Sequence, residues 1–169
     1  FENDIPFFLC ELSEAAEAIC PRGLLRRVLR QAEDLGFAVS AAFEYEFFVF
    51  AETPESIREK GYRNLKPISP GFFGYSMLRN SVLSDWYNDL LGMCEAMDMG
   101  IEGLHTETGA GVLEAALRVD DALAATDKAA LFKIFTKVLA QKQGWLATFM
   151  AKWSKDWPGQ SGHIHLSLK

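Results

Sequence analysis

Residues 43–50 read Phe-Glu-Tyr-Glu-Phe-Phe-Val-Phe, and this stretch decides the fold. Aromatic and β-branched residues at this density are typical of a β-strand. Side chains alternate between the two faces of a strand, so Glu44 and Glu46 share one face, which Phe48 and Phe50 continue. The other face is aromatic and aliphatic throughout. The stretch therefore predicts a strand with one buried face and one face that carries two carboxylates.

Neighbouring carboxylates beside aromatic side chains are unfavourable, because they repel each other and lose hydrating water. A cation bound between Glu44 and Glu46 would relieve both effects. The alternative is a solvated outer face with two ordinary glutamates. Taken alone, the pattern favours this alternative by about two to one.

Residues 162–168, Gly-His-Ile-His-Leu-Ser-Leu, predict a second strand. Alternation places His163, His165 and Ser167 on one face and three aliphatic side chains on the other, as an apolar back. Two histidines spaced in this way can bind a metal ion from one strand. A pair of hydrogen-bonded surface histidines is an equally good interpretation.

Residues 101–114 predict two strands joined by a glycine-containing turn. Glu107 ends the first strand and Glu114 lies in the second, so the two carboxylates approach one point if the strands pair. Alternation places Glu102 on the face opposite Glu107 unless a bulge intervenes. The alternative is a plain hairpin with charged rims.

Together these segments hold all three histidines of the chain and five glutamates on or beside predicted strands. Sites dominated by carboxylates favour Mg²⁺ or Mn²⁺, and a histidine ligand shifts the preference toward Mn²⁺. Two such ions commonly bind phosphates during phosphoryl transfer. The periodicity therefore predicts a divalent-metal enzyme and leaves its reaction open.

The remaining sequence predicts an α+β fold, with an antiparallel or mixed sheet and helices packed on one side. No repeat or linker divides residues 1–169. The predicted elements are a strand at 7–12, a helix from Pro21 to Gly36, a long connection at 51–75, a helix from Ser84 to Gly100, a helix at 121–143, and strands at 37–50, 101–118, 146–151 and 162–168.

The composition and net charge of the chain limit the kinds of partner that it is expected to bind. The 169 residues are 49% hydrophobic and 24% charged, and 23 acids against 17 bases give a net charge of −6. This balance argues against nucleic acid as the main partner. No run reaches transmembrane length and no signal peptide is apparent, so we expect no membrane association and a cytoplasmic location. Three widely spaced cysteines predict buried thiols in a reducing compartment rather than disulfides or a zinc site.

Five segments in order resemble motifs of the glutamine synthetase catalytic domain, from about residue 20 to residue 168. They are Glu44–Phe50, the stretch from His105 to Glu114, Phe132-Lys133, Ala147–Lys152 and Ser161–Leu168. Each motif is weak alone, but five in order are specific. The resemblance implies a glutamine synthetase-type fold and an ATP-dependent ligase. Such a ligase makes a γ-glutamyl amide from glutamate and ammonia through γ-glutamyl phosphate.

The resemblance also implies roles for individual residues. Two or more Mg²⁺ or Mn²⁺ ions would be held by Glu46, Glu107 and Glu114 on the glutamate side and by Glu44 and His163 on the ATP side. By motif position, ATP would be contacted by Glu102, His165 and Ser167, and glutamate near Gly159. A homo-oligomer is expected for the full-length protein.

Departures from the family motifs concentrate near the implied amino-acid site. The motif that ends at His163 lacks its asparagine, and Trp153 stands where the family has proline. A ligase that uses a polyamine or alkylamine in place of ammonia is therefore a competing interpretation, and a non-catalytic structural relative is another. The sequence begins at Phe1 without Met, and family segments on both sides are missing, which predicts a partial, weakly active domain with exposed apolar surface.

Overall fold

The computed structural model describes residues 5–169. In this range an antiparallel sheet is covered on one face by helices, which confirms the predicted α+β class. The helices are α1 (Pro21–Asp34), α2 (Pro54–Glu59), α3 (Met77–Val82), α4 (Ser84–Ala96) and α5 (Ala122–Lys142), and the strands are β1 (Val39–Phe50), β2 (Ile101–Thr106), β3 (Val112–Leu117), β4 (Asp120–Asp121), β5 (Leu146–Thr148) and β6 (Gly162–Leu168).

The long strand β1 organises the sheet. It pairs antiparallel with β3, β4, β5 and β6, and β2 pairs with β3. Because β3 and β6 pair with overlapping parts of β1, they flank it on opposite sides. The register sets Glu46 opposite Glu114 and Glu44 opposite His163. Directly paired residues point to the same face, so these four side chains share one face of the sheet.

The opposite face of β1 forms the core. Phe47 and Val49 are fully buried there against α4 and α5, together with Phe132. The ring of Phe47 meets the rings of Phe132 and Phe149 at centroid distances of 6.0 and 5.1 Å. Asp121 caps α5 by accepting hydrogen bonds from two backbone amides in its first turn. The aromatic alternation of β1 thus separates the helix-covered face from the carboxylate face.

The predicted strand at 7–12 is wrong, because this segment is held by side chains and not by strand pairing. The ring of Phe7 meets Phe135 of α5 edge to face, with centroids 6.5 Å apart. Glu11 forms ion pairs with Arg22 and Arg26 of α1. A short apolar run could equally be a strand or an irregular segment packed on a helix, and tertiary contacts selected the second.

Two short helices were not predicted: α2 lies within the predicted connection at 51–75, and α3 lies between that connection and the helix predicted from Ser84. α2 begins at a capping box in which Thr53 and Ser56 each bond the backbone of the other. α3 ends at Val82, and Leu83 is both its C-cap and the N-cap of the next helix, so Ser84 is the first residue of that predicted helix rather than its side-chain cap. Short helices give too few turns for a clear periodic signal.

Two burial predictions are partly wrong. Cys20 and Cys94 are buried as free thiols, but Cys10 is exposed. The predicted apolar back of β6 points to the helix side of the sheet, yet Ile164, Leu166 and Leu168 are each more than 60% exposed, because α1 and α5 do not reach over this strand.

No helix among residues 5–169 is long and apolar enough to cross a membrane.

Candidate active site

Four glutamates from β1, β3 and the turn after β2 gather on the face that the helices leave open. The β1–β3 register sets Glu46 beside Glu114, and the β2–β3 register sets His105 beside the same Glu114. Glu107 follows β2 directly and closes the hairpin, because its amide donates to the carbonyl of Val112 at 2.9 Å. Strand register therefore brings together carboxylates that are far apart in the sequence.

The histidines of β6 reach this group from the other side of β1. Nδ1 of His163 lies 3.1 Å from Oε2 of Glu44, and Nε2 of His165 lies 3.3 Å from the same oxygen. Hydrogen bonds from His165 and His163 hold the pKa of Glu44 below its usual value, although partial burial opposes them. Glu44 is thus held as a carboxylate against the β6 histidines.

Two sets of three side chains, within the part of the chain that the structure describes, can each converge on one cation. One set is Glu44, Glu114 and His163, and the other is His105, Glu107 and Glu114. In each set the potential ligand atoms lie within 4.8 Å of one another. Carboxylate oxygens with one imidazole nitrogen suit Mg²⁺ or Mn²⁺. Glu114 belongs to both sets, so the donor geometry fits two neighbouring divalent ions.

The surroundings of Glu114 disfavour its ionised form. Burial raises its pKa above the ordinary value, and the carboxylates of Glu46, Glu107 and Glu44 add to this rise while the electrostatic interaction with His105 opposes it. Its side chain is only 13% exposed. A bound cation would stabilise this anion directly, which is the electrostatic reason to expect metal at Glu114.

Glu46 is held differently from the other three glutamates. Its two carboxylate oxygens accept hydrogen bonds from the amide of Ser161, at 3.1 Å, and from the hydroxyl of Ser161, at 3.0 Å. It lies outside both ligand sets. The loop before β6 therefore orients Glu46, and its expected role as a ligand stays a prediction.

Tyr75 borders Glu107 and was not predicted from the sequence. Its ring stacks on His105 with centroids 4.6 Å apart, and its amide donates to Thr106 at 2.7 Å. Its φ of 56° lies in the left-handed region, which is strained for a bulky residue. These contacts hold the strained loop beside the site.

The hydroxyl of Tyr75 couples it to Glu107. Hydrogen bonding with that carboxylate raises the pKa of Tyr75 to about 12. Partial burial would raise the pKa of Glu107, but hydrogen bonds from Tyr75 and Thr108 outweigh burial and place it below the ordinary value. Tyr75 therefore acts as a neutral donor that favours the ionised form of Glu107.

Residues 18–169 match the protein family described as the glutamine synthetase catalytic domain. This match covers most of the chain. The chain belongs to the glutamine synthetase family.

Individual relatives agree with this assignment. The chain is 42% identical over 168 residues to type-1 glutamine synthetase 2 of Dictyostelium discoideum, covering 98% of this chain and 32% of that protein. It is 38% identical over 150 residues to a glutamate–isopropylamine ligase of a Pseudomonas species, covering 89% and 33%. It therefore spans about a third of the length of these glutamine synthetase relatives.

Solved structures support the same fold. The structure of GmaS without ligand aligns with a TM-score of 0.76 at 24% identity, over 88% of this chain and 34% of that one. A structure described as a novel glutamine synthase homolog aligns with a TM-score of 0.73 at 25% identity, over 89% and 32%. These likenesses confirm a glutamine synthetase-like fold.

The residues expected to contact ATP lie on the part of the carboxylate face that is near the start of β1. His165 and Ser167 pair with Ala42 and Ser40, toward the start of β1. Glu102 lies at a register shift between Ile101 and Gly103 and is 3.9 Å from Arg118. The alternation pattern placed Glu102 on the face opposite Glu107 unless a bulge intervened. The register shift beside Glu102 is such a bulge. Contact of these three residues with nucleotide stays a prediction.

Gly159 lies where the loop before β6 folds over residue 151. A Cβ at this position would come within 2.8 Å of the Ala151 carbonyl oxygen, so the close approach requires glycine. The amide of Gln160 donates to the same carbonyl at 2.8 Å. Gly159 thus shapes the loop that carries Ser161 to Glu46, and contact with glutamate stays a prediction.

His105, Tyr75 and Ser161 are site residues to which the sequence analysis assigned no role. His105 shares a strand face with Glu107 in the alternation pattern, which was an available signal. Tyr75 lies in a glycine- and proline-rich connection without periodicity, so no local pattern points to the site.

Proposed function

We propose that this chain forms part of the catalytic domain of an ATP-dependent ligase that makes a γ-glutamyl amide from glutamate and a nitrogen donor. Glu114 carries this proposal, since it is shared by two cation-binding sets on an open sheet face in a glutamine synthetase family member. Ammonia is the donor that the family name indicates. Glutamate, ATP and Mg²⁺ or Mn²⁺ are the other components proposed, with a homo-oligomer in the cytoplasm.

The proposed reaction has two balanced steps. A γ-carboxylate oxygen of glutamate attacks the terminal phosphorus of ATP, the bond to the bridging oxygen breaks, and ADP leaves. The donor nitrogen then attacks the γ-carbon, a carbon–nitrogen bond forms, and inorganic phosphate leaves with the bonding electrons while the nitrogen releases a proton to water. Bound cations would neutralise charge on the phosphates and on the carboxylate under attack.

The chain's own residues are assigned to binding and orientation. Glu44, Glu114 and His163 would hold the cation on the side of the nucleotide, and His105, Glu107 and Glu114 would hold the second cation. Ser161 orients Glu46 toward the carboxylate face, where it can serve as a further ligand. Tyr75 keeps Glu107 ionised by hydrogen bonding.

A second candidate donor is an amine that replaces ammonia. Trp153, which stands where the family has proline, contacts Phe50 and Trp157, and this departure precedes Ser161, which binds Glu46. The glutamate–isopropylamine ligase at 38% identity supports the same candidate.

The test is ligase assay of the full-length protein with glutamate, ATP and Mg²⁺ or Mn²⁺, supplying ammonia or one amine at a time. ADP should form only when glutamate, metal and a donor are all present. Glu46→Ala should abolish turnover, whereas Glu59→Ala on the exposed surface of α2 should not change it. Turnover that persists in Glu46→Ala, or its absence with every donor, would overturn the proposal.

A further inference from the structure

A large cavity lies where α2, the last turns of α5 and the segment from β5 to Trp153 meet. Its volume is about 600 Å³, which is within the usual range of small-molecule sites. None of the described residues that line it belongs to either cation-binding set. The cavity is therefore a candidate binding site in addition to the carboxylate face.

The inner surface of the cavity is mostly apolar. Phe50 and Ile57 line it and are buried, whereas Tyr62 and Met150 line it and are more than half exposed. The ring of Trp153, which also lines it, meets that of Phe50 edge to face with centroids 5.0 Å apart. The cavity thus runs from a buried base to an open mouth. An aromatic ring bound there would remove apolar surface from water.

The charged side chains of the cavity are cationic. Arg58 of α2 and Lys137 of α5 line it, and no acid does so among the residues that the structure describes. Arg58 interacts electrostatically with Glu55, which lies outside the lining, and the ammonium of Lys137 lies 5.7 Å from the centre of the Phe149 ring. In a chain with a net charge of −6, this local positive charge would attract an anionic group.

Two uncharged polar side chains of the lining can bind the same group. Gln141 lies one helical turn after Lys137 on α5, so the two side chains are neighbours on the helix surface. Oγ1 of Thr148 accepts a hydrogen bond from the amide of Met150 at 3.3 Å, which leaves its hydroxyl hydrogen to donate. The polar part of the cavity therefore offers donors to an anion.

We propose that this cavity binds an aromatic carboxylate, with the ring among Tyr62, Met150 and Trp153 and the carboxylate held by Arg58 and Lys137. A carboxylate fits better than a phosphate, because a second negative charge would lose more hydration beside the apolar lining. The binding involves no covalent step and does not depend on the proposed ligase reaction.

Calorimetric titration of the full-length protein with hydrocinnamate, without ATP or glutamate, tests this proposal. Hydrocinnamyl alcohol is the matched ligand without charge, and propionate is the matched ligand without a ring. We expect the Kd of hydrocinnamate to be lower than that of either by about tenfold. The proposal is overturned if hydrocinnamate does not bind, if either matched ligand binds equally well, or if phenyl phosphate binds more tightly.

Two variants locate the binding in the cavity. Arg58→Gln removes one cation, and Gln141→Glu adds an acid of almost the same shape to the lining. Each should raise the Kd of hydrocinnamate about threefold or more and leave that of the alcohol unchanged. The matched control is Arg63→Gln, which removes an exposed cation outside the lining and should change neither. Hydrocinnamate binding that both cavity variants leave unchanged would place the ligand elsewhere.

Competition with ATP separates this site from the carboxylate face. The cavity shares no lining residue with Glu102, His165 or Ser167, so saturating MgATP should leave the Kd of hydrocinnamate unchanged. Displacement of hydrocinnamate by MgATP would overturn the proposal. An active ligase that does not bind hydrocinnamate overturns the cavity assignment alone. Hydrocinnamate binding with the expected variant effects, in a protein without ligase activity, overturns the proposed function alone.

Discussion

Nδ1 of His163 lies 3.1 Å from Oε2 of Glu44, across the antiparallel pairing of β6 with β1. The two residues are separated by most of the chain, yet they share a cation-binding set with Glu114. Removal of the imidazole should therefore weaken the binding of Mn²⁺ to the full-length protein. We expect His163→Ala to lower Mn²⁺ affinity about tenfold or more in calorimetric titrations.

His165→Ala is the matched control for this change. His165 also lies close to Glu44, at 3.3 Å, but it belongs to neither cation-binding set. Its removal should weaken Mn²⁺ binding much less. Equal losses in the two variants would contradict the assignment of His163 as the ligand.

Tyr75→Phe should make Mn²⁺ binding more sensitive to acid. The hydroxyl of Tyr75 helps to keep the pKa of Glu107 below its ordinary value, so its loss raises that pKa. Protons then compete with the cation at a higher pH. Titrations across pH 4 to 7 should show the affinity of the variant falling at a higher pH than that of the wild type.

The control for Tyr75 is Tyr62→Phe, which alters an exposed tyrosine that also has a positive φ but lies outside the site. Its pH profile should match the wild type. A Tyr75→Phe profile that also matches would show that the hydroxyl does not influence Glu107.

Glu52→Ala should destabilise the fold by about 2 kcal/mol, because it removes a buried carboxylate that several partly buried donors share. Glu52 is 3% exposed, and it accepts hydrogen bonds from the Ser56 hydroxyl at 2.6 Å and the Lys66 amide at 2.8 Å, and forms an ion pair with Lys60. Denaturant unfolding at pH 7 measures the loss. Glu55→Ala on the same helix, which is exposed, should cost much less.

The contribution of Glu52 also has a defined pH dependence. Lys60, Ser56 and Lys66 lower its pKa in the folded protein to about 2, from 4.5. A depressed folded-state pKa gives stability that is present above the unfolded value and is lost as pH falls toward the folded value. The stability difference between wild type and Glu52→Ala should therefore shrink between about pH 4.5 and pH 2. A difference that stays constant over this range would contradict the ion pair.

The exposed back of β6 should cause the 169-residue chain to self-associate when produced alone. Ile164, Leu166 and Leu168 form an uncovered apolar row on a strand that pairs with β1. Exposed edge strands of this kind promote association. Sedimentation velocity should show oligomers that Leu166→Lys reduces, whereas Ser167→Lys on the opposite face should not. Monomeric wild-type chain at all concentrations would contradict this.

Patterns within single segments predicted much of the fold. The alternation in 43–50 correctly separated the core face, with Phe47 and Val49, from the face of Glu44 and Glu46. The same rule failed at 7–12, because Phe7 and Glu11 are held by side-chain contacts with helices that are distant in the sequence. Periodicity reports which face is apolar, and it carries no information on what covers that face.

The sequence by itself determined the central strand, the family and the chemical types of the candidate ligands, because these depend on residue identity and local spacing. Only the tertiary structure decided which ligands meet. Strand register placed Glu114 in two cation-binding sets, and loop packing bound Glu46 to Ser161 and brought Tyr75 to the site. The physical reason is that pairing between distant strands and loop packing set distances that no local pattern encodes.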